Sequence, residues 1–129
     1  MNHIKTGEIG EDLAVKYIKK HGYKVLGRNF RKIWGEIDIV AKDKENRLIF
    51  IEVKTIRQRN PAIANEFASF YPEDHFNSKK IFQMKKCCTA YVNKNENLLD
   101  ENVGWRVDLA AITIFNNGES DIRYYENVI

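Results

Sequence analysis

Cysteine and proline are scarce in this 129-residue chain, with two of each. The two cysteines, Cys87 and Cys88, are adjacent, and neighbouring residues seldom meet disulfide geometry. No Cys-x-x-Cys or Cys/His spacing suits a zinc site, so both read as packing residues. Long apolar runs are missing too. The longest, Leu109 to Phe115, falls far short of the ~20 residues that span a bilayer, and Met1-Asn2-His3-Ile4-Lys5 begins no signal-peptide core. The expectation is a cytoplasmic protein with no membrane association. Internal repeats and low-complexity tracts are also lacking. With 43% hydrophobic and 30% charged residues the chain has the composition of an ordinary globular domain, read as one unit over 1–129. A domain of this size buries roughly 65–70% of its unfolded surface, enough for a core without disulfides or structural metal.

Acidic residues are absent from two long stretches. Residues 13–35 hold Lys16, Lys19, Lys20, Lys24, Arg28, Arg31 and Lys32 with no acid, and a second acid-free segment runs from Lys79 to Lys94. The net charge of +3 therefore hides an asymmetry: 19 basic against 11 acidic residues up to position 94, and 2 against 7 after it. Basic surfaces of this kind suit a phosphate-backbone ligand, although solvated helix faces produce the same count.

Hydrophobic periodicity predicts a helix from Gly7 to His21, with Ile9, Leu13, Ala14, Tyr17 and Ile18 on one stripe and Gly22 as its C-terminal cap. Strands follow at Tyr23 to Phe30, at Glu36 to Ala41 with Ile37, Ile39 and Ala41 on one face, and at Leu48 to Lys54. Asp43-Lys44-Glu45-Asn46 makes the last two a hairpin, and the almost wholly apolar third strand reads as central. Residues 56–77 lack a period and read as a long loop rich in aromatics. Ser78 is the expected cap of a second helix to Asn93, and strands at Trp105 to Phe115 and Asp121 to Val128 flank the Asn116-Asn117-Gly118 turn. The order α-β-β-β-α-β-β gives an α/β fold, a central mixed five-stranded sheet flanked by helices.

Charges interrupt the strand pattern where apolar residues are expected. Glu52 and Lys54 lie two apart on one strand and share a face. A hairpin centred on Glu45 sets Asp38 opposite Glu52 and Glu36 opposite Lys54. Opposed residues lie ~4.5–5.5 Å apart, and two like charges ~4 Å apart repel by about 4 kcal/mol at an effective dielectric of 20. A divalent cation reverses that sign. Mg²⁺ is held by one or two carboxylates with waters and phosphate oxygens, so Asp38 and Glu52 make a half-site for a phosphodiester, with Lys54 placed to assist the attacking water or neutralise developing charge. The competing reading is a solvated sheet edge with a Glu36–Lys54 pair, which accounts for Lys54 but less well for Glu52 at the end of an apolar run.

Asp38, thirteen intervening residues and Glu52-Val53-Lys54 resemble the Asp…Glu-x-Lys signature of restriction-endonuclease-like nucleases. More narrowly, Thr6-Gly7 with Gly10-Glu11-Asp12-Leu13-Ala14, then Gly35 to Ala41, then Phe50-Ile51-Glu52-Val53-Lys54-Thr55, resemble the YraN-like family of uncharacterised bacterial predicted nucleases. Lys80 and Arg106-Val107-Asp108 also fall where that family's later motifs are expected. The resemblance implies a restriction-endonuclease-like fold and a metal-dependent phosphodiesterase site like that of archaeal Holliday-junction resolvases. It also implies that Glu11 joins Asp38 and Glu52 as a metal ligand, directly or through water; the alternative for Glu11 is a favourable acid near a helix N-terminus. Two departures stand out: Ile37 replaces a proline common in the wider superfamily, and residues 58–76 are longer and more aromatic than the family's usual connection.

The resulting expectation is a Mg²⁺- or Mn²⁺-dependent endonuclease acting on DNA, branched or structured DNA by analogy, with Glu11, Asp38, Glu52 and Lys54 catalytic. Arg28, Arg31, Lys32, Arg57, Arg59 and Lys80 are the candidate backbone contacts. Alternatives are a non-catalytic nucleic-acid-binding module of the same fold, or a protein-interaction subunit of a DNA-processing complex. Phe67, Phe70, Tyr71, His75 and Phe76 suit either base stacking or packing and homodimer contacts.

Overall fold

The apolar stripe of the first helix sets the architecture. In a computed structural model describing residues 3–58 and 75–129, this helix, α1 (His3–Lys20), starts four residues earlier than its periodicity indicated. Gly22 closes it in the left-handed region (φ 86°), and Tyr23 N–H reaches the Ile18 carbonyl at 3.0 Å. The chain continues through β1 (Lys24–Lys32), β2 (Gly35–Lys42), β3 (Leu48–Gln58), α2 (Ser78–Lys94), a short 3-10 turn (Glu96–Leu98), β4 (Trp105–Phe115) and β5 (Ser120–Tyr125). The expected order α-β-β-β-α-β-β stands.

The sheet order is β1-β2-β3-β4-β5, and β3 is its centre. Neighbours run antiparallel except β3 and β4, which are parallel from Leu48–Trp105 to Gln58–Phe115. This long parallel ladder extends β3 four residues past its expected end, because each added residue finds a partner on β4. The loop expected over 56–77 is therefore strand up to Gln58; its 59–74 portion, with Phe67, Phe70 and Tyr71, lies outside the described residues. The second helix is capped by Asn77, not Ser78: its side-chain oxygen accepts from Lys80 N–H at 2.9 Å.

Two apolar layers cover the sheet. Under α1, Ala14 and Ile18 pack on Ile39, Ala41, Ile49, Ile51, Ala110 and Ile112; under α2, Met84, Cys87, Cys88 and Tyr91 pack on Val40, Leu48, Phe50, Val107 and Leu109. Covering both faces explains why Leu48-Ile49-Phe50-Ile51 is apolar without alternation. Both cysteines are free and buried, as packing residues should be.

One strand reading needs correction. Ile37 does not share the layer of Ile39 and Ala41 but joins Phe30 under α2. The cause lies on β1, where Asn29 adopts a left-handed conformation (φ 56°) between the Arg28–Ile39 and Phe30–Ile37 pairs. Two residues apart, Arg28 reaches α1 while Phe30 meets Tyr91 of α2 edge-on at 5.2 Å. The β1–β2 ribbon turns over at this point, and Asp38 is the residue at the turnover.

Candidate functional site

The hairpin register between β2 and β3 runs from Lys42–Leu48 to Ile39–Ile51, as a centre at Glu45 requires, and the ladder stops there. Beyond its last pair the Asp38 carboxylate accepts from Val53 N–H at 2.7 Å. A side chain thus takes the amide that the diverging strands leave unpaired. The expected Glu36–Lys54 pair does not form part of this ladder: Glu36 meets its β1 neighbour Arg31 at 3.1 Å instead.

Asp38 and Glu52 are both buried, 7% and 9% exposed. Burial, the charge of Glu52 and smaller contributions from Glu11 and Glu36 push the Asp38 carboxyl up to about 7, against the lowering effect of the Val53 hydrogen bond. The Glu52 carboxyl is therefore held close enough to disfavour charge on Asp38 in a poorly solvated place. On Glu52, the Lys80 ammonium of α2 stands 3.0 Å from Oε2, yet that oxygen lacks hydrogen-bond geometry to any described group. The two observations are compatible: the charge is countered, while the directional demand of the oxygen is not met.

Seating of α1 on β3 brings Glu11 to the same end of the sheet. A Cβ on Gly10 would fall on the Thr55 hydroxyl and lie 2.9 Å from Thr55 Cβ, so only glycine allows this approach. Glu11 acts on Asp38 electrostatically, but its carboxylate is oriented toward Arg28 at 3.5 Å, and Arg28 also holds Asp12 at 2.9 Å. Among the described residues no group of three or more His, Cys, Asp or Glu side chains is gathered closely enough to hold a metal ion. The arrangement is two carboxylates together, with Glu11 nearby and engaged elsewhere.

Cations complete the surroundings. Lys54 and Lys80 both act on His75, which burial and these two charges lower to about 4, leaving its ring neutral at neutral pH. His75 also packs edge-on against the buried Phe76 at 5.0 Å. Sequence reading gave His75 no catalytic partner and placed Lys80 among backbone contacts; helix α2 brings Lys80 onto Glu52, and His75, just before that helix, lies within reach of the Lys54 and Lys80 charges. The available signal was position, since Lys80 lies in the first turn of α2 beside Lys79. Of the other basic candidates, Arg31 pairs with Glu36, Arg57 donates to Thr6 Oγ1 at 3.2 Å, Lys32 lies 5.4 Å from the Phe30 ring centre, and Arg59 lies outside the described residues.

Asp108 has a different place. Fully buried, it accepts from Arg106 Nε at 2.9 Å, Tyr124 hydroxyl at 2.7 Å and Asn127 N–H at 2.9 Å, while Arg106 also donates to Tyr23 hydroxyl at 2.6 Å. Burial and the Asp108 charge push the Tyr124 hydroxyl up, so it stays a donor. This network ties β4, β5 and the start of β1 together. Its carboxylate is saturated by protein donors, which makes it a structural anchor.

The acidic pair lies within the segment shared with other proteins. A profile described as uncharacterised protein family UPF0102 matches residues 10–112. A UPF0102 protein of Flavobacterium johnsoniae is 39% identical over 118 residues, covering 92% of this chain and 87% of its own. One of Carboxydothermus hydrogenoformans is 36% identical over 129 residues, covering 100% and 98%, and one of Trichlorobacter lovleyi is 36% identical over 122, covering 95% and 87%. No helix among the described residues is long and apolar enough to cross a membrane. With a match across nearly its whole length, this chain belongs to the uncharacterised protein family UPF0102.

Proposed function

We propose that the protein is a divalent-metal-dependent endonuclease that hydrolyses phosphodiester bonds in DNA. The observation that carries this reading is the juxtaposition of Asp38 and Glu52, two buried carboxyls beside a cationic wall. A pair of this kind costs stability unless a cation or a proton joins it. The donor set fits Mg²⁺ or Mn²⁺, which need one or two carboxylates and complete their shell with waters and phosphate oxygens. Bound there, such an ion would polarise a phosphate oxygen and lower the charge presented to an incoming nucleophile.

The chain's own groups supply the rest. Asp38, fixed by Val53 N–H, and Glu52, on the central strand, present carboxylate oxygens from a rigid base. Lys54 projects from the same strand two residues on and serves to orient the attacking water or neutralise the phosphorane-like charge. Glu11 is the third acid, supporting the pair from α1. In the overall reaction water oxygen forms the new bond to phosphorus, the ester P–O bond breaks, and the departing oxygen ends protonated. Arg31, Lys32, Arg57 and Arg59 are backbone contacts in this reading, with branched or structured DNA as the substrate class and a homodimer as the form that would cut two strands.

A second reading has its own support. Lys80 already counters Glu52, so the fold can hold the acidic pair without metal and serve as a non-catalytic nucleic-acid-binding module. End-labelled linear, flapped and four-way-junction DNA, incubated with Mg²⁺ or Mn²⁺ and wild type, Asp38→Asn or Glu52→Gln, separates the two. Metal-dependent cutting lost in both folded variants supports hydrolysis. Salt-sensitive binding by all three without cutting supports the module.

A further inference from the structure

Large apolar side chains are exposed at three places among the described residues: Ile33 (103%), Trp34 (36%) and Phe82 (68%). They gather on one side of the molecule. Ile33 and Trp34 are the two central residues of the β1–β2 turn, between the paired Lys32 and Gly35. Two-residue hairpin turns favour Asn, Asp or Gly with positive φ, whereas neither Ile33 nor Trp34 adopts it. Turn chemistry therefore gives no reason for these residues, and Ile33 packs on nothing.

Trp34 lies against α2, where its indole N–H donates to Cys87 Sγ and Lys86 Nζ stands 4.5 Å from the ring centre. Between Trp34 and Phe82 runs a shallow groove of about 610 Å³, whose other walls include Lys85, Lys86, Thr89 and Asn93 and no acid. One helix turn away the opposite side of α2 carries Lys80, which is paired with Glu52. The groove and the acidic site are thus separated by about one helix width, ~10 Å, or roughly three nucleotide steps of 3.4 Å along a strand.

We infer that the Trp34–Phe82 groove, with the Ile33 tip beside it, docks a DNA strand by stacking an unpaired base on Trp34 while Lys85 and Lys86 hold the flanking phosphates. The inference deepens the DNA-hydrolase reading and rests on its choice of DNA as ligand. Charge selects this occupant. A second copy of the chain would bring the same lysines toward one another, whereas a phosphodiester strand complements them and its bases suit a flat apolar surface flanked by cations. Selectivity would then be for unpaired bases next to a duplex, since a fully stacked duplex offers no free base face.

The full-length protein in EDTA, titrated with a blunt duplex and with the same duplex carrying a single-stranded tail, tests this by tryptophan emission and by fluorescence anisotropy of labelled DNA. Wild type should prefer the tailed DNA and lose Trp34 emission on binding. Trp34→Leu should lose on the order of tenfold in affinity for the tailed DNA, with the blunt duplex little changed, and Trp34→Phe should restore the preference. Phenylalanine lacks the indole N–H, so its rescue separates stacking from the Cys87 contact. Trp105, packed edge-on against Phe50 at 5.4 Å, reports that each variant is folded. Equal weakening on both DNAs, or no effect of Trp34→Leu, overturns the inference. Dimers in sedimentation that dissolve in Trp34→Leu, without tail preference, assign the groove to self-association instead. Tail preference without cutting in Mg²⁺ or Mn²⁺ removes the hydrolase reading alone, and absence of any DNA binding removes both.

Discussion

Asp38 concentrates the tension of this fold in one side chain. Its carboxyl is pushed up to about 7 by burial first and by Glu52 next, so the folded protein holds a proton there that the unfolded chain has lost. Stability from this group is therefore present below about pH 4 and falls as pH rises through 7. Asp38→Asn keeps an oxygen for Val53 N–H and removes the ionisation. Thermal unfolding in EDTA should show the variant more stable by about 1–3 kcal/mol at pH 8 and equal to wild type near pH 3.5; a variant less stable at pH 8 would show that Asp38 is not under this strain. The nearness of Asp38 and Glu52 was legible in sequence, because the turn at Glu45 sets the register up to Ile39–Ile51; their direct cross-strand pairing was not found, since the ladder ends there and Asp38 turns to Val53 N–H. The contact of Lys80 with Glu52 was not legible, since it depends on where α2 settles. Asn29 was equally silent: left-handed backbone inside a strand has no periodic signature, and it moved Ile37 to the other layer.

Elements were readable in kind, and their ends depended on partners. β4 spans Trp105–Phe115 as its pattern indicated, whereas β3 continues to Gln58 because β4 offers a ladder along its whole length. Contact between α1 and β3 depends on Gly10. In Gly10→Ala the added methyl meets Thr55, and α1 must shift; denaturant unfolding should show a loss of about 1–3 kcal/mol. Thr55→Ala in the same chain should recover part of it, because the hydroxyl is the first obstacle. Strand β4 contributes a second sensitive point. Asp108→Ala would leave the Arg106 guanidinium, 15% exposed, without its main acceptor and should cost about 3 kcal/mol or more. Loss of under 1 kcal/mol would contradict its role as anchor.

At the scale of the whole molecule the sheet acts as a partition. One layer, under α1, contains the saturated Asp108 network at β4–β5; across the end of the β2–β3 ladder sits the acidic pair, reached by Glu11 from one helix and Lys80 from the other. Buried carboxylates are common to both places, and what separates them is satisfaction: four protein hydrogen bonds converge on Asp108, counting both from Arg106, while Glu52 Oε2 lacks one. Mixed-sheet architecture and the location of the pair followed from charge, turns and period. Whether Glu11 joins the pair could not follow from them, because Arg28 competes for it across the sheet edge. The measurement that reaches the central claim most directly is calorimetric titration of Mn²⁺ or Mg²⁺ into the metal-free wild-type protein at pH 7, in buffers of different ionisation enthalpy. The account predicts binding with proton release from Asp38, abolished in Glu52→Gln. Absence of binding, or binding that persists unchanged in that variant, would contradict it.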